Sequence, residues 1–263
     1  MKKIISVILA VALMAVCFAG CGSQGLTVAD IQKAGKLTIA TSPDFPPFEY
    51  LDENGQPTGI EIEIMELICQ ELGVELVIEQ MNFDSVLPGV QAGKYDVGVS
   101  GISVTPDREK NTLFTDPYCL AAQAIVVLNG SPITCKADLE GKTIAVQSGT
   151  TAEAYALENG YTFNPYAANT DAQEALLAGK VDAWVIDDLT AAEMVALYNE
   201  ANPGALVVLG EAMTTEPYAF AFKQGNDELV NAINEIINKL VADGTVAEIF
   251  AANNAPYTAP AQG

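Results

Sequence analysis

Strand-like and helix-like patterns alternate along the chain from about residue 36. Runs at 37–40, 75–79, 96–99, 143–146 and 181–186 are short, apolar and rich in β-branched residues, the signature of strands. Between them apolar residues recur three and four apart, as at Ile64, Leu67, Ile68 and Leu72 within 64–72. Comparable stretches at 84–91, 151–158, 171–178 and 190–198 predict further helices, and two more close the chain at 226–241 and 245–250. This alternation predicts an α/β fold.

Two pieces of the pattern occur twice, in the same order. Gly35-Lys36-Leu37-Thr38-Ile39-Ala40 is echoed by Gly141-Lys142-Thr143-Ile144-Ala145, each a strand opening a half. Gln91-Ala92-Gly93-Lys94-Tyr95-Asp96-Val97 is echoed by Leu177-Ala178-Gly179-Lys180-Val181-Asp182-Ala183, each a helix end running into a strand. Gly ends helices and Val builds strands everywhere, yet ordered pairs of echoes predict two lobes of one architecture. Ligands of open sheets sit beyond the C-terminal ends of the strands. Those ends fall at 41–48 and 100–108 in the first half and at 147–151 and 186–188 in the second. Facing lobes bring these four loops to one cleft.

The 263 residues carry 12 Lys and Arg against 34 Asp and Glu, a formal charge of −22, and no His. Such a surface repels nucleic acid and anionic headgroups, so neither is an expected partner. Without His, Ser-His-Asp and Cys-His catalysis are excluded, and no metal or other cofactor is expected. Lys2 and Lys3 precede an apolar run at 4–19, shorter than the roughly 20 residues of a membrane helix, so 1–20 is predicted to be a signal peptide. Phe18-Ala19-Gly20-Cys21 looks like a bacterial lipoprotein cleavage site, with Cys21 the lipid-modified first residue. Cleavage there leaves 10 Lys and Arg against 34 Asp and Glu, a formal −24. Cys69, Cys119 and Cys135 match no zinc or redox spacing; Cys69 is expected as a core thiol, and a Cys119–Cys135 bond stays open.

The strand-end loops carry the candidate chemistry. In the loop from Ser100 and Gly101 to Ser103, Thr105 and Pro106 predict a helix start, with Thr as cap and Pro at the first helical position. Arg108 then falls in the first turn, where the helix dipole disfavours a cation, which favours an anion-binding role over a solvated surface charge. A guanidinium grips a carboxylate through two parallel hydrogen bonds. Gln147-Ser148-Gly149-Thr150-Thr151 leads into a helix: either a plain capped turn, or small residues that let N–H groups approach an anion. Asp187 follows a strand; it caps the next helix, or it faces the cleft while Asp188 caps. A carboxylate facing Arg108 suits a zwitterion. Phe45, braced by prolines, and Phe83 are candidates to flank a ligand side chain.

Together these residues resemble the solute-binding proteins of polar amino-acid ABC transporters, over about 36–250. The resemblance is carried by Pro46-Pro47-Phe48-Glu49-Tyr50, Asp52-Glu53-Asn54-Gly55 with Gly59-Ile60-Glu61, and Ser100-Gly101-Ile102-Ser103-Val104-Thr105 with Arg108. Phe114-Thr115-Asp116-Pro117-Tyr118, Gly149-Thr150-Thr151, Asp187 and Asp243-Gly244-Thr245 complete it. It implies a two-lobed, type II periplasmic-binding-protein fold: an anchor linker at 21–35, lobe 1 from 36–121 and 220–263, and lobe 2 from 122–219. Two hinge strands, near 120–124 and 217–219, are expected to join the lobes. It implies a monomer, lipid-anchored on the extracytoplasmic face of a bacterial membrane, that captures an L-amino acid and delivers it to an ABC permease and its ATPase, without catalysis.

By the same resemblance, Arg108 with the N–H groups of Ser103 and Thr151 holds the α-carboxylate. Asp187, with Gly101 C=O and Ser103, holds the α-ammonium, and Phe45 and Phe83 flank the side chain. Gln147 serves an amide or second carboxylate; Ser100 and Gly149 complete the set. Ser42 stands where relatives taking cationic or amide side chains often carry Asp, which argues against a basic ligand unless Asp44, Glu49 or Glu79 reaches the pocket. Two rival readings have their own requirements. An enzyme on this fold, such as a dehydratase of a carboxylic acid, needs a general acid beside a leaving group. A sensor is expected to carry a further signalling domain, and no segment here is predicted to form one. Gly141-Lys142-Thr143 is no phosphate loop, because Lys136 stands where the earlier Gly is needed.

Overall fold

The computed structural model describes residues 25–260; the predicted signal segment 1–20 and Cys21 lie outside them. The first half contains strands β1 (Lys36–Thr41), β2 (Asp44–Phe45), β3 (Glu49–Leu51), β4 (Pro57–Thr58), β5 (Glu75–Gln80), β6 (Val97–Gly98) and β7 (Thr112–Phe114). A short strand β8 (Cys119–Ala121) leads to β9 (Gln123–Leu128), β10 (Thr143–Gln147), β11 (Thr162–Tyr166), β12 (Ala183–Asp187) and β13 (Leu206–Val208). The chain returns through β14 (Glu216–Tyr218) to β15 (Ala221–Lys223). Two five-stranded sheets result, in the orders β5-β1-β6-β15-β7 and β11-β10-β12-β9-β13.

The two orders are the same layout. In each sheet three parallel strands are followed by one antiparallel strand and then by a fifth that runs with the first three, with β1 and β10 in equivalent places. The sequence echoes have a structural cause. Thr38 N donates to Asp96 Oδ2 and Asp96 N donates back to Thr38 O, at 2.8 and 2.9 Å. Thr143 and Asp182 repeat the exchange at 2.8 and 2.7 Å. An Asp placed just before a central strand fastens it to the neighbouring strand's start, once in each lobe.

Between the sheets, β8 and β14 pair antiparallel with Tyr218 opposite Cys119 and Glu216 opposite Ala121. Both crossings of the chain between sheets therefore run side by side. The helix predicted at 64–72 begins four residues earlier, at Ile60, because its first N–H groups find carbonyls outside it. Ile60 N donates to Pro47 O and Glu61 N to Phe48 O, both at 2.9 Å. This close approach requires Gly59: its φ is 116°, and a Cβ there would lie 2.5 Å from Phe48 O. Residues Val28–Ala34, within the expected linker, form a helix whose Ile31 is buried in the lobe 1 core. Cys69, Cys119 and Cys135 are all free thiols.

Candidate functional site

The lobe 1 loop after β6 hangs from two buried glutamates. Glu61, in the first turn of the helix Ile60–Leu72, accepts from Gly101 N at 2.9 Å and from the Tyr118 hydroxyl. Glu49, on β3, accepts from Ser100 Oγ at 2.9 Å, and Ser100 Oγ in turn accepts from Ser42 N at 3.1 Å. The other Glu49 oxygen, Oε2, is buried without a hydrogen-bond donor, and the two carboxyls sit close enough to influence each other's protonation. Burial raises the pKa of both, and the neighbouring Glu61 charge pushes Glu49 well above the usual range. The loop they carry is tightly packed: Gly101 has φ 52°, and a Cβ there would meet the Phe45 ring at 2.5 Å.

Thr105 caps the next turn by accepting from Arg108 N at 3.2 Å, with Pro106 at its start. That helix spans only Pro106–Glu109, so its dipole is small and the expected conflict with the guanidinium is weak. Carbonyl groups hold Arg108 instead. Nη1 donates to Ser103 O at 2.8 Å, and Nη2 crosses the cleft to Gly149 O at 3.1 Å. The guanidinium carbon lies 5.7 Å from the centre of the Phe83 ring, within cation–π range. Burial lowers its pKa, opposed by the charges of Glu216 and Asp187.

From lobe 2, Thr150 caps the helix Thr151–Glu158, accepting from Glu153 N at 3.3 Å, so the N–H of Thr151 belongs to the open first turn. Gly149, at φ 80°, lets the loop come within 3.1 Å of Asp84 of lobe 1, measured from the Cβ a larger residue would have. Asp187 ends β12. The Asp188 carboxylate accepts from Leu189 N at 2.9 Å and Ala122 N at 3.3 Å, and Asp187 makes no side-chain cap. Asp187 instead accepts from Gln123 Nε2 at 2.9 Å and from the Tyr218 hydroxyl. Burial, with Glu216 nearby, raises its pKa to about 8.

Ten of the eleven expected ligand residues, all but Gly149, line a single cavity between the lobes, Arg108 and Asp187 among them. Gly149 lines an adjoining groove on the other side of Arg108. The cavity is narrow, about 10 Å3, room for one water molecule, so an amino acid enters only with the lobes further apart. Asp44 and Thr150 line it too. Asp44 reaches across to lobe 2, accepting from Asn169 N at 2.7 Å and Gln147 Nε2 at 3.1 Å. Glu49 lies behind the loop, not in the cavity. Glu79 does not line it either.

Sequence reasoning missed Glu216. This buried residue of β14 accepts from the Ser103 hydroxyl of lobe 1, and from Thr151 Oγ1 of lobe 2 and Thr214 Oγ1 at 2.7 and 2.9 Å. A Glu in the polar run Thr214-Thr215-Glu216 shows no periodicity that would mark it as buried. Its one signal is its place directly before the expected crossing at Pro217.

Residues 37–253 match the family model of bacterial extracellular solute-binding proteins, family 3. The chain is 28% identical over 220 residues to the L-cystine-binding protein TcyJ of Escherichia coli K12, covering 82% of this chain and 81% of the relative. A putative ABC transporter arginine-binding protein 2 of the same organism is 30% identical, over 82% and 90% of the two chains. A probable histidine-binding protein of Campylobacter jejuni is 32% identical, over 79% and 80%. Among solved structures, a mutant of ArgBP from T. maritima superposes with a TM-score of 0.79 at 34% identity, covering 86% of this chain and 98% of that one. An ancestral amino acid-binding protein, AncCDT-1, described as a precursor of cyclohexadienyl dehydratase, does so with 0.78 at 33%, over 86% and 98%.

Proposed function

The chain belongs to the bacterial extracellular solute-binding proteins of family 3, and on that premise we propose how its cleft works. The protein captures a free amino acid outside the cytoplasm and delivers it to an ABC importer. One observation carries the site assignment: Arg108 from lobe 1 and Asp187 from lobe 2 line the same narrow cavity. A zwitterion bridges them, its carboxylate on the guanidinium and the Ser103 and Thr151 N–H groups, its ammonium on Asp187 with Gly101 C=O and Ser103. Binding costs the separated charges of an open cleft little, and closure then removes water and strengthens each charge-assisted contact. The paired crossings β8 and β14 are the hinge about which the lobes close. The closed shape is what the permease recognises. Cys21 carries a lipid that keeps the monomer at the outer face of the membrane, and mass spectrometry of the purified N-terminus tests this.

Thermal unfolding of the refolded, ligand-stripped protein against a panel of L-amino acids tests the reading. A ligand at about 100 times its dissociation constant adds roughly 2.7 kcal/mol, a shift of several degrees for a chain of this size. The shift should vanish in Arg108→Ala and Asp187→Asn. A panel that produces no shift with any amino acid removes the reading. An enzymatic reading draws on Asp187, whose raised pKa makes it a proton donor in the cleft. It requires a dehydrated product to accumulate on incubation with a hydroxylated carboxylic acid.

A further inference from the structure

Among the charged residues that line the cavity, Asp44 is the one no cation answers. Arg108 is drawn towards Glu216 and Asp187 and donates to carbonyls, not to Asp44. Every donor to the Asp44 carboxylate is neutral: the Ser42 hydroxyl at 2.8 Å, the Gln147 amide at 3.1 Å and the Asn169 backbone N–H at 2.7 Å. No Lys lines the cavity, and Arg108 is its one Arg. A zwitterion pairs with Arg108 and Asp187 and is itself neutral overall. It therefore leaves the Asp44 charge in place, part-buried and held by neutral donors alone, with no counterion.

The two oxygens of Asp44 are not equally occupied. Oδ2 takes both lobe 2 donors, Gln147 and Asn169, while Oδ1 accepts from Ser42 alone and keeps a lone pair free. Asn169 begins the helix Asn169–Leu177, whose N-cap residue is Ala168 and supplies no side-chain cap. A lobe 1 carboxylate thus fills the cap position of a lobe 2 helix, and the carboxylate is oriented only when the lobes meet. Its free acceptor is then aimed and partly desolvated at the moment of closure.

We propose that Asp44 selects the ligand's side chain: the amino acid captured carries an ammonium or guanidinium, of the ornithine, lysine or arginine class, that donates to Asp44 Oδ1. This rests on the amino-acid reading above. It also explains how a pocket with Ser42 at its edge takes a basic ligand, since the acid stands two residues further along. Aspartate and glutamate are rejected because their second carboxylate meets Asp44 with no cation to spare.

Titration calorimetry with isosteric pairs tests it: arginine against citrulline, and lysine against 2-aminoheptanoic acid. In the unaltered protein the charged member should bind roughly 10- to 100-fold tighter, the range for a hydrogen bond to a charged group. In Asp44→Asn, whose amide oxygen still accepts from Asn169 N, that ratio should fall close to one. Pairs of equal affinity in the unaltered protein overturn the proposal and leave the zwitterion clamp standing. A ratio that survives Asp44→Asn overturns it as well, as does tight binding of glutamate. If no member of either pair binds while another amino acid of the thermal panel does, this inference falls and the amino-acid reading stands; if nothing in the panel binds, both fall. The comparison within the unaltered protein needs no variant, and citrulline binding by Asp44→Asn shows that the variant is folded.

Discussion

Two clusters of buried carboxylates stand a few residues apart in the molecule and behave differently. Behind the lobe 1 loop, Glu49 and Glu61 are sealed from solvent, influence each other's protonation, and accept hydrogen bonds from Ser100, Gly101 and Tyr118. At the hinge, Asp187 and Glu216 face the cleft beside Arg108 and take hydroxyl and amide donors from both lobes and the crossing strands. The first cluster has no cation and no entry for one, so its titration acts on folding. The second has one guanidinium and room to gain an ammonium, so its titration acts on binding. Burial raises the pKa of Glu49 and Glu61 in the one and of Asp187 in the other. What decides whether the result is scaffold or site is access.

Substitutions and a pH titration test that division, the largest effect first. Arg108→Ala should cost binding about 2–5 kcal/mol, the usual loss when one partner of a buried charged contact is removed, while its melting temperature without ligand stays near that of the parent. Arg108→Lys should recover only part, because an ammonium lacks the planar fork. Melting curves beside calorimetry decide this, and a large melting loss in Arg108→Ala would place Arg108 in the scaffold. Glu61→Ala should do the opposite and lower stability first. It strands the Gly101 N–H and the Tyr118 hydroxyl, at about 1–3 kcal/mol each, and denaturant unfolding reads the loss.

The third test uses pH. Asp187 has a pKa of about 8, and the ligand's ammonium binds its ionised form. Binding at pH 7 should therefore release a proton, with affinity rising about tenfold per pH unit up to near 8 and then levelling. Calorimetry in buffers of different ionisation enthalpy counts the proton, and an affinity flat from pH 6 to 9 rules the mechanism out. Glu49 and Glu61 respond with the sign reversed and in a different quantity. Their raised pKa values mean the folded protein keeps a proton that the unfolded chain gives up. Stability is accordingly greatest in acid and declines as pH climbs from the ordinary carboxylate range towards the raised values. Glu49→Gln should flatten that decline. The smallest effect belongs to Glu216→Gln, which removes a like charge from beside Asp187. The pH at which affinity levels off should move down from about 8, by a fraction of a unit to about one.

The parts of the molecule legible in the sequence are those with local causes. Strand ends predicted the four loops, and the Thr105-Pro106 start is a cap that needs nothing beyond its own turn. The echoes were visible because Asp96 and Asp182 do one job twice. Asp188 does not take the cap position as expected: it is the first helical residue, and Asp187 holds the N-cap place without a side-chain cap bond. What stayed hidden depends on partners far along the chain. Glu61 meets Gly101 forty residues on, Glu216 meets Ser103 across 113, and Asp44 meets Asn169 across 125. In sequence each is an ordinary acidic residue, and most acidic residues face water. The early start of the helix Ile60–Leu72 was hidden for the same reason, because carbonyls of Pro47 and Phe48 complete its first turn.

The helix that begins at Asn169 borrows its cap from the opposite lobe, and this makes it a clock for the hinge. While the lobes are together, the Asn169 amide is bonded to Asp44 at 2.7 Å. When they part, Ala168 offers that amide no replacement, and its hydrogen exchanges with solvent. The exchange rate of this one amide, set against the buried strands on either side, thus counts the openings of the cleft.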